Sequence, residues 1–249
     1  MGIQNIPEHE LARLREKAKE ITGSQFDYQS SYTDLLSRRL NGEPLQYIEE
    51  YVPFYSIQIN VDQRCLIPRP ETEYMIEIIK NNVIAPKKIL DVGTGSGCIA
   101  LMMKKLFPDS EVHAVDISND AITLAKENAE INNLKVDFYQ SDLLTNVEKL
   151  DFDLIVANLP YIPTSNLTTL QKEVIDYEPL IALDGGEDGL LYINKLLDNL
   201  KNTDSNDLLL VLEVDASHAQ SLLDSFTDWK DVKLEKDLVE RDRYIVARK

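Results

Sequence analysis

The chain of 249 residues has little cysteine, little histidine and no long apolar run. Cys65 and Cys98 form no CxxC pair and the three histidines are scattered, so the sequence predicts reduced thiols and no structural metal. No stretch approaches the roughly 20 apolar residues that span a bilayer, and residues 1–10 lack the features of a secretory signal. We therefore expect a cytoplasmic protein with no membrane partner.

Basic residues are scarce relative to acidic ones. The chain has 26 Lys and Arg against 43 Asp and Glu, and residues 67–249 hold 19 basic and 33 acidic residues. This excess of negative charge disfavours partners that are bound by neutralising phosphates, so no direct nucleic-acid partner is expected. Two interpretations of the charge stay open: attraction of a basic protein, or solubility alone.

The composition is that of an ordinary globular protein, with 43% apolar and 28% charged residues. Apolar residues recur at helical intervals over residues 8–21 and 33–40, which predicts two short helices. Residues 47–61 are rich in Tyr, Val, Ile and Phe and predict one or two strands that form a connecting hairpin. The sequence thus predicts three parts: a small helical domain (1–46), a β-hairpin (47–66) and a larger domain (67–249).

The larger domain alternates short apolar runs with helical patterns. Five strands are predicted at residues 88–92, 112–117, 136–140, 153–157 and 208–214, with helices between them. This alternation predicts an α/β fold with a Rossmann-like parallel sheet, which binds ligands at the carboxyl ends of its strands. Residues 232–238 and 243–247 have no helix between them and predict an antiparallel hairpin, giving seven strands in all.

A glycine-rich turn follows the first of these strands, where residues 89–98 read ILDVGTGSGC. Glycine permits positive φ and a close approach of the backbone to a ligand. The spacing is not the GxGxxG of a dinucleotide site, and a carboxylate before the turn would repel a pyrophosphate but pair with a cationic amino-acid group. The predicted ligand-binding residues here are Asp91, Gly93, Thr94, Gly95, Ser96 and Gly97.

Carboxylates also end the next two strands. Asp116, with Ile117 beside it, is placed to accept both hydroxyls of a ribose. Asp142 offers an acceptor for an exocyclic amine, and Leu143 offers an apolar wall for a purine. A ligand with a cationic amino-acid end, a ribose, an adenine and no phosphate is S-adenosylmethionine. A nicotinamide dehydrogenase, and aspartates that only cap helices, are the competing interpretations.

The fourth strand ends in Asn158, Leu159, Pro160 and Tyr161. A conjugated amino group is a poor nucleophile, so positioning must supply much of the catalysis. The Asn158 side-chain oxygen and the Leu159 carbonyl would each accept one hydrogen of the acceptor NH2, with Tyr161 stacked on its plane. Pro160 would restrict Leu159 to an extended conformation. The tetrapeptide suits an amide and an adenine amine equally well.

Five motifs, taken in their order along the chain, distinguish the amide acceptor from the adenine acceptor. They are LLSRRLNGEPLQYI (35–48), LIPRPETE (66–73), LDVGTGSGCIAL (90–101), NLPYIP (158–163) and YEPLIALDGGEDGL (177–190). From residue 35 to its end, the chain resembles the release-factor glutamine N5-methyltransferases, with Leu159 in place of a more usual proline. The resemblance implies a small helical domain for substrate docking, a hairpin and a class I methyltransferase domain.

The resemblance also implies the reaction. The family methylates the glutamine amide in the Gly-Gly-Gln loop of class I peptide-chain release factors, converting S-adenosylmethionine to S-adenosylhomocysteine. By matching position, Asn158, Leu159, Pro160 and Tyr161 would hold the glutamine. Arg69 is a candidate for substrate contact or for pairing with a carboxylate such as Glu73, and we expect the enzyme to be a monomer. The alternatives are an adenine N6-methyltransferase acting on RNA or DNA, which should show a basic stripe with aromatics, and a non-catalytic cofactor-binding scaffold.

Overall fold

A computed structural model describes residues 6–22, 27–149, 151–201, 203 and 207–249. Among these residues, no helix is long and apolar enough to cross a membrane. The chain begins with three helices, α1 (Glu8–Thr22), α2 (Tyr28–Leu40) and α3 (Leu45–Glu49). Their apolar positions recur at helical spacing and meet in a small core of their own. This core contains Leu14, Ala18, Leu35, Leu45 and Ile48.

Two predicted boundaries in this region are wrong. The sequence predicts a strand from residue 47, but residues 47–49 belong to α3. The helix begins after Pro44, and Leu45 and Ile48, three residues apart, are buried on the same face of it. Helix α2 begins at Tyr28 rather than at residue 33, since the rings of Tyr28 and Tyr32 stack 6.1 Å apart against the helical core. The division into domains stays a prediction.

A two-stranded antiparallel hairpin follows, with β1 (Tyr51–Phe54) and β2 (Ile57–Asn60). Its buried side chains alternate along each strand, as expected for a hairpin with one face on a core. Helix α4 (Pro70–Asn82) comes next. Pro70 occupies its first turn, where a missing N–H costs nothing.

The rest of the chain builds one sheet and the helices that cover it. In chain order these elements are β3 (Lys88–Val92), α5 (Cys98–Leu106), β4 (Glu111–Asp116), α6 (Asn119–Ile131), β5 (Asp137–Gln140), β6 (Leu154–Asn158), α7 (Lys172–Tyr177), α8 (Leu191–Leu200), β7 (Leu209–Glu213), α9 (Ala216–Leu222), β8 (Lys230–Lys236) and β9 (Asp242–Arg248).

The seven strands lie in the order β5-β4-β3-β6-β7-β9-β8. Strands β3 to β7 are parallel, while β9 runs antiparallel to both β7 and β8. The predicted α/β fold with seven strands and a terminal antiparallel hairpin is confirmed. The chain starts in the middle at β3, builds outward to β5 and returns to β6, so the strand order reverses between β3 and β6. Ligands of such sheets bind at this point, beyond the carboxyl ends of the strands.

Candidate active site

A cleft of about 960 Å³, open solvent at its mouth included, lies at the carboxyl ends of β3, β4, β5 and β6. Every one of these strand ends contributes to its wall. The predicted site residues that line it are Gly93, Thr94, Gly95, Ser96, Asp116, Ile117, Asp142, Leu143, Asn158, Leu159 and Pro160. The structure places the other predicted residues, Asp91, Gly97, Tyr161 and Arg69, behind or beside this wall.

The glycine turn after β3 forms the floor of the cleft, and its three glycines serve different needs. All three have positive φ. A Cβ on Gly93 would lie 2.9 Å from the Leu159 side chain, and one on Gly97 would lie 3.1 Å from the Cβ of Ala125 on α6. A Cβ on Gly95 would meet nothing within 4 Å. Gly93 and Gly97 therefore allow close packing within the protein, whereas Gly95 borders open space on the ligand side.

Asp91 lies beneath the turn and has no exposed surface. Its Oδ2 accepts hydrogen bonds from the Thr94 hydroxyl (2.7 Å) and the Ala100 backbone N–H (3.1 Å). Its Oδ1 has no hydrogen-bond partner among the described residues. Burial raises the pKa of Asp91 to about 7, against the opposing effect of these two bonds. The Asp91 carboxyl group thus holds the turn in place through these two bonds. It lies behind the cleft wall, and its contact with a ligand stays a prediction.

Asp116 at the end of β4 faces the cleft. One of its oxygens accepts from the Gly95 N–H and the other from the Ser118 N–H, both at 2.9 Å. Helix α6 is capped by Ser118, whose hydroxyl accepts from the Ala121 N–H. The competing interpretation of Asp116 as a mere helix cap is therefore wrong. Burial raises its pKa.

The third acidic strand end, after β5, lies beside the end of β4, where the Ser141 N–H donates to the Asp116 carbonyl at 2.9 Å. Asp142 is exposed, and Leu143 is buried in a left-handed conformation with φ of +48°. A polar and an apolar side chain therefore stand side by side at this wall, as the sequence predicts for an adenine site. Their contact with adenine stays a prediction.

Asn158, at the end of β6, has a fixed side chain. Its Nδ2 donates to the Thr72 hydroxyl on α4 at 2.8 Å. None of the described residues donates to its Oδ1 or to the Leu159 carbonyl, so two oxygen acceptors at the cleft wall keep free lone pairs. Such a pair matches the two hydrogens of a planar NH2 group.

Tyr161 does not belong to the described residues that line the cleft. Its hydroxyl donates to Glu213 Oε1 at 3.2 Å, and its ring lies under the guanidinium of Arg243, 5.9 Å from the ring centre. Burial and the Glu213 carboxylate raise the pKa of the phenol. The Tyr161 hydroxyl thus shares the Glu213 carboxylate with the Thr72 hydroxyl. The stacking of Tyr161 on an acceptor stays a prediction.

Arg69 is held by a buried carboxylate. Glu178, whose side chain is 1% exposed, accepts from the Arg69 guanidinium and from the Ile67 N–H. Pro68 and Pro179, beside these groups, both line the cleft. Arg69 therefore ties the 66–70 segment to the loop after α7. A role in substrate binding stays a prediction.

Sequence reasoning missed Thr72 and Glu213. Thr72 belongs to the LIPRPETE motif, and Glu213 is the last residue of β7, opposite Asn158 in the parallel pair β6–β7. For Glu213, the available sequence signal was a carboxylate at the end of an otherwise apolar strand, because a buried charge needs hydrogen-bond or ionic partners.

Comparisons with known proteins agree with this arrangement. A family profile described as "Methyltransferase small domain" matches residues 70–181. Among solved structures, a methyltransferase from Pyrococcus furiosus has a TM-score of 0.61 at 20% identity, covering 87% of this chain and 98% of that one. The Mtq2-Trm112 complex of E. cuniculi, described as responsible for methylation of the eRF1 termination factor, has a TM-score of 0.53 at 20% identity, covering 75% and 99%. The fold is that of the class I methyltransferases.

Similar sequences identify the family within this class. A release factor glutamine methyltransferase from Koribacter versatilis is 39% identical over 228 residues, which is 90% of this chain and 81% of the relative. One from Lactococcus lactis is 39% identical over 218 residues, covering 86% and 80%. The chain belongs to the family of release factor glutamine methyltransferases.

Proposed function

We propose that this enzyme transfers a methyl group from S-adenosylmethionine to the side-chain amide nitrogen of glutamine in the Gly-Gly-Gln loop of class I peptide-chain release factors. The names of the relatives support this substrate. The observation that carries the chemistry is the pair of free acceptors at the cleft wall, Asn158 Oδ1 and the Leu159 carbonyl. We further propose that the enzyme acts as a monomer in the cytoplasm, without a membrane or nucleic-acid partner.

The residues around the cleft fit S-adenosylmethionine. Gly95 leaves open space where a side chain would stand, and the Asp116 carboxylate beside it suits ribose hydroxyls. The unpartnered Oδ1 of Asp91 lies behind the turn, and a cationic ligand bound there would favour the ionised form of this carboxyl group. Asp142 and Leu143 would hold the adenine. When bound, the cofactor supplies an electrophilic methyl group and leaves as S-adenosylhomocysteine.

The role of the chain in the reaction is to position the acceptor amide. An amide nitrogen is a weak nucleophile because its lone pair is delocalised, so the enzyme must hold it in one orientation. Hydrogen bonds from its two hydrogens to Asn158 Oδ1 and the Leu159 carbonyl would fix the plane of the group and polarise it. Orientation of this kind contributes roughly 7–11 kcal/mol to lowering a barrier. The product proton passes to water, and no general base is required.

A labelling experiment tests the proposal. The enzyme is incubated with methyl-labelled S-adenosylmethionine and either a class I release factor or ribosomal RNA, and labelled products are mapped by mass spectrometry. We expect one methyl group on the glutamine of the Gly-Gly-Gln loop and none when that glutamine is replaced by alanine. Label on RNA adenine would instead favour the nucleic-acid alternative, and cofactor binding with no labelled product would favour a scaffold.

A further inference from the structure

Four side chains from three separate parts of the chain form one hydrogen-bonded network at the predicted acceptor site. Asn158 Nδ2 donates to Thr72 Oγ1 (2.8 Å), Thr72 Oγ1 donates to Glu213 Oε2 (2.9 Å), and Tyr161 donates to Glu213 Oε1 (3.2 Å). Thr72 is 3% and Glu213 is 2% exposed. Water therefore has little access to these contacts, and each polar group depends on its protein partners.

The carboxylate of Glu213 sets the direction of every bond in this network. An ionised carboxylate can only accept hydrogen bonds, so the single hydroxyl hydrogen of Thr72 must point to it. The Thr72 oxygen is then left as an acceptor toward Asn158. An acceptor at that position requires the amide nitrogen of Asn158, and not its oxygen, to face Thr72. Two hydroxyl donors and the neighbouring Arg243 favour the ionised form, although burial raises the pKa of Glu213.

We infer that Thr72 and Glu213 are positioning residues that hold the Asn158 amide with its oxygen toward the acceptor. The inference rests on the proposed function, since it concerns the group that would grip the substrate amide. With the opposite orientation, Asn158 would present an NH2 group to the NH2 group of the substrate, and two donors cannot bond each other. The enzyme would then still bind its cofactor but would lose half of its grip on the acceptor.

Substitutions that keep the shape of the side chain but change its hydrogen bonding test this inference. Thr72→Val keeps the shape but removes the hydroxyl, and Glu213→Gln keeps the shape but can donate toward Thr72 and so permit the reversed amide. We expect each to lower kcat by about 10- to 100-fold, as loss of a preorganised contact does, while the dissociation constant for S-adenosylmethionine changes less than about twofold. Thr72→Ser, which retains the hydroxyl, should recover most of kcat.

Two controls separate positioning from stability. Thr123→Val makes the same change at an exposed hydroxyl on α6, which bonds only the Asn119 carbonyl within the described residues, and should leave kcat unchanged. Thermal unfolding of each variant shows whether the fold is intact. If Thr72→Val does not fold, the inference is tested by comparing kcat of Glu213→Gln with kcat of Thr72→Ser. Wild-type kcat in Thr72→Val or Glu213→Gln would overturn the inference.

A measurement independent of activity uses protein labelled with 15N at asparagine. In the wild type, one hydrogen of the Asn158 side-chain NH2 should exchange slowly with solvent, because it is bonded to a buried hydroxyl. In Thr72→Val the exchange should be at least about tenfold faster, and unchanged exchange would also overturn the inference. If the wild type methylates no release factor, the proposed function fails, whereas this exchange measurement still decides the orientation of the amide.

Discussion

At the scale of single residues, Asp91 is a carboxyl group whose charged form is opposed by its surroundings. It has no exposed surface and one oxygen without a partner among the described residues. Its pKa is raised from an ordinary 3.8 to about 7. Between these two values the folded protein keeps a proton that the unfolded chain loses, so the contribution of Asp91 to stability is greatest at low pH and decreases as the pH rises.

We expect Asp91→Asn to flatten this part of the pH dependence. Asparagine keeps an oxygen that accepts from Thr94 and Ala100, and it carries no charge. The free energy of unfolding of the variant minus that of the wild type should therefore rise by on the order of 1–3 kcal/mol from pH 5 to pH 8. Urea unfolding at several pH values measures the difference. Asp109→Asn, an exposed control, should follow the wild type. A constant offset between Asp91→Asn and wild type at all pH values would contradict the assigned cause.

Removal of the Asn158 amide should separate binding from catalysis. We expect Asn158→Ala to lower kcat by about 100-fold or more, since one of two acceptors for the substrate amide is lost. The affinity for S-adenosylmethionine, measured by calorimetry, should stay within about threefold of wild type. Asn194→Ala on the exposed face of α8 is a matched control that should retain full turnover. Unaltered turnover in Asn158→Ala would exclude the proposed grip on the acceptor.

At the scale of elements, the glycine turn is held between β3 and α6 by a close approach at Gly97. We expect Gly97→Ala to cost about 2–4 kcal/mol, because it adds a strained positive φ to a Cβ that would sit 3.1 Å from Ala125. Gly42→Ala isolates the first effect, since its φ is +96° with nothing within 4 Å, and should cost only about 1–2 kcal/mol. Chemical unfolding provides both values, and equal costs would show that contact with α6 is unimportant.

The elements also show how far sequence reasoning reaches. The alternation of apolar runs with helical patterns was sufficient to predict the parallel sheet and the antiparallel tail, because both follow from local periodicity and chain connectivity. The order of the strands in the sheet was not predicted. Helix α3 could not be predicted, since Tyr47 and Ile48 have strand-forming side chains and the packing of Leu45 and Ile48 against α1 and α2 selects a helix. Local preference was overridden there by tertiary contact.

The site was predicted to a similar depth. Residues at strand ends could be placed at one edge of the sheet, because parallel strands bring their carboxyl ends together. The pairing of Asn158 with Glu213 depends on the register of β6 against β7, which periodicity does not determine. The hydrogen bond of Tyr161 to that same carboxylate also joins elements that local pattern does not bring together. The partners of site residues therefore needed the three-dimensional structure.

At the scale of the whole molecule, the net charge of −17 acts over distances longer than any single contact. A basic release factor should be attracted at low salt, and this attraction weakens because the screening length falls to about 10 Å at 0.1 M salt. We expect kcat/KM for the release factor to fall several-fold, roughly 3- to 10-fold, from 50 to 300 mM salt. Affinity for S-adenosylmethionine, measured in parallel, should change less than about twofold. A kcat/KM that does not depend on salt would contradict attraction of the release factor and would favour solubility as the role of the negative charge.

The network of Thr72, Asn158 and Glu213 joins positions separated by 86 and 141 residues in sequence. Contacts between such distant positions form late when a chain refolds, because large loops must close first. Helical signal in a refolding protein should therefore return before methyl transfer does. Turnover would then report the completion of the sheet, and neither half of the chain alone would be active.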